Sequence, residues 1–129
     1  MPGIRTSSFE QATDIRPFVG GTGELAMLDL DGAAVGKATF RPGWRWSEHV
    51  KPIAGTDSCL APHAGYVLSG HMTVRMDDGT ESNLEPGQVV VIAPGHDAWV
   101  VGQEDCVMLD WQGYVDYAKP TASTRTTTA

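Results

Sequence analysis

The sequence predicts an all-β chain, a sandwich or barrel of short strands around one core. Three observations carry this. Turn dipeptides recur at short, regular intervals: Asp31-Gly32, Pro42-Gly43, Asp78-Gly79, Pro86-Gly87 and Pro94-Gly95. The segments between them are strand-sized and rich in apolar residues. No segment of the core sustains a helical period. The 15 glycines and 8 prolines suit many tight turns.

The elements follow in order. Residues 1–20 form an irregular arm in which Ser8 caps a turn over Phe9-Glu10-Gln11-Ala12. Glu24–Leu30 and Ala33–Phe40 are a hairpin closed by Asp31-Gly32. Trp44–Val50 is the next strand, followed by a loop over 51–62. His63–Ser69 and His71–Met76 are strands joined at Gly70. Thr80–Leu84 is short, and the apolar run Gln88–Ile92 reads as a strand buried on both faces. His96–Val101 and Cys106–Trp111 complete the barrel domain over 21–118. The Thr-rich segment 119–129 is expected to be a disordered tail.

At 129 residues the chain fits one domain. Its net charge of -7 repels phosphate backbones and anionic lipid, and no basic cluster offsets it. Nucleic acid and membrane are therefore poor partners, and no apolar run reaches the length of a membrane span. The polar start, Met1 to Phe9, carries no signal peptide, so a cytoplasmic location is expected. Cys59 and Cys106 are then two thiols, Cys106 a small core residue.

Pro42-Gly43, five residues, then His49 begin one pattern, and His63, six residues, then Gly70 end it. Gly87, five residues, then Ala93-Pro94-Gly95-His96-Asp97-Ala98 form a second. Together these resemble the two motifs of the cupin superfamily, G-x5-H-x-H-x3/4-E-x6-G and G-x5-P-x-G-x2-H-x3-N, over roughly residues 33–111. The resemblance implies a small cupin-type jelly-roll barrel. It also implies a divalent metal (Zn, Fe, Mn or Ni) held by histidines inside, and chemistry such as that of a dioxygenase, isomerase, lyase or cyclase. The ligand match is partial. Lys51 stands at the second motif histidine counting from Gly43, and Cys59 stands there counting back from Gly70. His63 takes the place of the glutamate. Ala98 takes that of the last histidine, with His96 two residues before it on the same strand face.

The candidate metal ligands are therefore His49, His63, His96 and Cys59, whose thiolate among imidazoles favours zinc. His71, just past Gly70, reads as a surface residue. The strand Trp44–Val50 leaves an alternative open. Trp44, Trp46, Glu48 and Val50 share one face, and Arg45, Ser47, His49 and Lys51 the other. Either Glu48 or His49 lines the barrel, unless a β-bulge admits both. Asp97 and Asp110 each lie beside a tryptophan in a strand. With Glu48 they are the candidate acids or bases, unless a cation such as Arg45, Lys51 or Arg75 pairs with them. Trp46, Tyr66, Trp99 and Trp111 are candidate pocket walls. The expected partners are a small-molecule substrate or ligand and a second copy of the chain, covering open sheet edges in a homodimer. Two rivals stand beside the metalloprotein: a metal-free ligand-binding barrel, and a homodimeric interaction protein with a vestigial pocket.

Overall fold

The computed structural model describes residues 3–112. It contains nine strands: β1 Asp14–Pro17, β2 Gly23–Leu30, β3 Ala33–Phe40, β4 His63–Ser69, β5 His71–Met76, β6 Glu81–Leu84, β7 Val89–Ile92, β8 His96–Val101 and β9 Cys106–Asp110. They form a six-stranded sheet, β1-β2-β3-β9-β4-β7, facing a three-stranded sheet, β6-β5-β8. All pairings are antiparallel. The expected tail lies outside the described residues. No helix among those described is long and apolar enough to cross a membrane.

The Asp31-Gly32 turn behaves as its chemistry requires. Both residues take positive φ (56° and 99°), and Leu30 pairs with Ala33 across a two-residue hairpin. The arm is more ordered than expected. Phe9–Gln11 is one turn of 3-10 helix, Ser8 makes no side-chain cap, and β1 pairs with β2 along the sheet edge.

Two expectations are corrected. Trp44–Val50 is not a strand: Trp46–His49 forms a short helix, α1, and Lys51–Ala54 a second, α2. The reason lies in the apolar spacing. Trp44 and Trp46 are each only 2% exposed and Val50 is fully buried. A strand burying all three would bury Glu48 as well, at heavy desolvation cost. A helical turn places Trp46 and Val50 on one face, four residues apart, and turns Glu48 to solvent. The second correction concerns β7, which is buried on one face only. Val90 is buried while Val89 and Val91 are exposed, because only one face of this antiparallel sheet packs on the core and the other meets solvent.

The core fills the space between the sheets with Leu25, Phe40, Trp44, Val67, Met72 and Met108, among others. Phe18 stacks on Phe40 with centroids 5.4 Å apart, and Phe40 meets Trp44 at 4.4 Å. Gly65 faces Asp110 across the β4–β9 ladder, where a Cβ would overlap the Leu109 carbonyl. That close approach brings the first residues of β4 against the end of β9, where the candidate site is built.

Candidate metal centre

His63 opens β4 and Asp110 closes β9. The His63 Nδ1–H donates to Asp110 Oδ2 at 2.6 Å, with the two side chains only 13% and 15% exposed. This hydrogen bond fixes the ring and turns Nε2 the other way, to 3.7 Å from Cys59 Sγ. His96 opens β8, and its Nδ1–H donates to the Ala93 carbonyl at 2.8 Å. Its Nε2 is left as the ligand atom, and the ring also hydrogen-bonds Cys59. The two imidazoles meet edge to face, 5.4 Å between centroids.

Cys59 arrives from the 51–62 loop, and backbone pairing holds it. Its N–H donates to the His96 carbonyl at 2.7 Å, and its own carbonyl accepts from Gly95 N–H at 2.7 Å. One ligand atom from each of Cys59, His63 and His96 falls within 4.8 Å of the others. A tetrahedral zinc with ordinary Zn–S and Zn–N bonds separates sulfur from nitrogen by about 3.5 Å. The observed 3.7 Å fits that span. The donor set also fits a metal by its outer contacts, since each histidine gives its other N–H to a carboxylate or carbonyl.

The electrostatics agree with this arrangement. Burial opposes the Cys59 thiolate, but hydrogen bonds and charge from His63 and His96 outweigh it and pull the thiol down to about 6. Burial likewise opposes a charged His63, but its hydrogen bonds to Asp110 and Cys59 push it up to about 9. Cys106 has no such company. Burial, with Glu104 adding to it, pushes its thiol up to about 12, which makes it inert.

His49 is not in this group. Its Nδ1 accepts the Arg45 backbone N–H at 3.0 Å within the α1 turn. The change from strand to helix removed it from the position the motif count gave it. Glu48 is exposed, 3.9 Å from Arg45 Nε. Asp97 is held as a fastener: its Oδ1 accepts the Ser47 and Ala98 N–H groups, and Oδ2 lies 3.5 Å from Arg45 Nη1. Of the three carboxylates singled out in sequence, Asp110 alone meets the cluster. His71 is exposed at the surface.

A cavity of about 50 Å³ lies between the sheets, with His63 and Asp110 in its otherwise apolar wall. Trp46, Tyr66, Trp99 and Trp111 do not line it. Trp46 is core, Trp99 lies under the Arg45 guanidinium at 4.2 Å, and Trp111 is 46% exposed. The tryptophan in the wall is Trp44, which the sequence places on the same face as Trp46 but which is not among the four candidate walls. Its indole Nε1–H is buried without a hydrogen-bond partner among the described residues, at a typical cost of about 1–3 kcal/mol.

Similar solved structures share this architecture. A cupin-like protein from Thermotoga maritima matches at 21% identity and TM-score 0.51, over 81% of this chain and 75% of that one. A sugar phosphate isomerase of the cupin superfamily from Silicibacter pomeroyi matches at 16% identity and TM-score 0.57, over 82% and 73%. The chain has the cupin fold. Drosophila melanogaster CENP-C, in a structure bound to CAL1, matches at 18% identity and TM-score 0.57, over 83% and 84%. No family model and no curated protein matches the sequence.

The outer contact of this cluster has a measurable weight. If the cluster holds zinc, Asp110→Asn is expected to weaken its binding by about 10–100-fold, since the amide no longer holds His63 as a charge-assisted acceptor. Competition titration against a chromogenic chelator reads it. Unchanged affinity would detach Asp110 from the metal site.

Proposed function

We propose that this cupin holds a divalent metal, zinc by its donor set, through Cys59 Sγ, His63 Nε2 and His96 Nε2, and acts on or binds a small organic molecule in the barrel. One observation carries the reading. Both histidines have Nδ1 tied to an acceptor, so both Nε2 atoms are left for the space that Cys59 Sγ shares. Three protein ligands leave a fourth position open, where a metal polarises a carbonyl or activates water. His63 belongs both to the cluster and to the cavity wall, which joins the two parts of the site.

The experiment is a zinc titration of the full chain across pH. Without metal, Cys59 is a thiolate above about 6, and His63 keeps its proton up to about 9. Metal must expel every proton still on a ligand atom. Between those values it expels one, from His63, so affinity rises roughly tenfold per pH unit. Below about 6 it expels a second, from Cys59, and the slope steepens. Above about 9 the dependence on these two groups flattens. Near-stoichiometric zinc with that profile supports the proposal. No binding at any pH, with no thermal response to zinc, iron, manganese or nickel, overturns it.

A second reading, a metal-free interaction barrel, draws support from the exposed Val89 and Val91 on edge strand β7 and from the CENP-C relative seen with a partner. It requires zinc-free protein whose mass by sedimentation rises with concentration.

A further inference from the structure

Trp44 presents a buried donor whose proton no described residue receives. The residue is 2% exposed, lines the inter-sheet cavity, and its Nε1–H has no hydrogen-bond partner among the described residues. Buried donors are almost always satisfied, and an exception calls for a specific cause, among them a bound ligand, ion or water. The surrounding wall explains what would satisfy this one. Leu25, Ala38, Met72, Val74, Val90 and Met108 are apolar, and apolar atoms supply most of the lining. The polar part of the wall is His63 with Asp110, already hydrogen-bonded to each other. The volume, about 50 Å³, holds only a few water-sized groups.

We infer that the cavity takes a compact neutral carbonyl compound whose oxygen accepts the Trp44 Nε1–H while its short apolar body lies among the aliphatic side chains. A free carboxylate fits less well. Among the described residues the wall holds no cation apart from His63, which Asp110 already faces, so a second buried negative charge is left without compensation. An all-hydrocarbon ligand would fill the space but leave the indole donor unsatisfied. A site built around a hydrogen bond rejects an analogue lacking that group, because the buried partner then stays unpaired. Trp44 would thus set specificity, held in place by Phe40 and Phe18. This inference deepens the proposed small-molecule site and rests on that reading, but not on metal occupancy.

The test uses the ¹⁵N-labelled full chain and two probes of similar shape, butanone and 2-methyl-1-butene. The Trp44 indole resonance is assigned by its loss in Trp44→Phe. Butanone is expected to shift that resonance downfield saturably, and the hydrocarbon to leave its hydrogen-bond shift unchanged. In Trp44→Phe, which keeps an aromatic ring, butanone affinity falls about tenfold and hydrocarbon affinity changes less than about twofold. A wild-type titration with no saturable indole shift overturns the inference. So does equal weakening of both probes, which marks Trp44 as packing alone. Zinc content is measured on the same samples. An indole response in zinc-free protein upholds the inference while the metal reading falls, and a silent indole in zinc-loaded protein does the reverse.

Discussion

Alanine at Cys59, His63 or His96 is expected to weaken zinc binding by on the order of 10³-fold, while His49→Ala leaves it unchanged. Each of the first three removes one of the three protein donors proposed among the described residues, so the effect exceeds that of an outer-shell change. With wild-type zinc at about 100 times Kd, binding adds about 2.7 kcal/mol to stability by mass action. That raises Tm by roughly 10 °C, a rise the three variants lose. His49→Ala separates this from general damage. It removes the imidazole that accepts the Arg45 N–H, costing about 1 kcal/mol, with or without zinc. Calorimetry with and without added zinc measures both quantities. Equal loss of zinc affinity in His49→Ala and His63→Ala would place the metal elsewhere.

The contrast between those histidines shows what the sequence could and could not carry. The turns and most strands were legible because their signals are local. Asp31-Gly32 needs only its own backbone preferences, and His63–Ser69 needs only its neighbours. The Trp44–Val50 segment was not legible by alternation, because its buried residues satisfy period two until Glu48 is counted. Solvation of that one carboxylate favours the helical turn, and His49 leaves with it. The exposure of Val89 and Val91 depends on the outer face of the sheet having no second layer over it, which no local window contains.

Cys59 was ambiguous for a different reason. Counting from Gly43 and counting back from Gly70 disagreed across the 51–62 loop. What decides is a non-local pairing, the Cys59–His96 bridge, which ties the loop to the start of β8. That pairing brings Cys59 beside His96, which lies two residues before the motif position at Ala98, and so gathers Cys59, His63 and His96. The Asp110 partnership with His63 spans 47 residues. It follows from the β4–β9 register, in which Gly65 pairs with Asp110.

That register supplies the second large effect. Gly65→Ala is expected to destabilise the protein by about 3 kcal/mol or more, lowering Tm by more than about 10 °C. Intrinsic preference argues the other way, because glycine inside a strand is usually worse than alanine by about 0.5–1 kcal/mol. Geometry reverses the sign. The new Cβ would overlap the Leu109 carbonyl and lie 3.3 Å from the Asp110 Cα, and these are backbone atoms that no rotamer change can clear. β9 must move away from β4, taking Asp110 from His63 two residues along the ladder. Zinc affinity should therefore fall at least as far as in Asp110→Asn, even at temperatures where the variant stays folded. Gly79→Ala is the matched control. It also meets a backbone obstacle, a φ of 93°, but its Cβ would enter open space. The left-handed conformation costs about 1–2 kcal/mol, with no change in zinc affinity. Gly65→Ala as stable as wild type, with zinc affinity intact, would mean that β4 and β9 do not approach this closely, and the His63–Asp110 contact would fall with that separation.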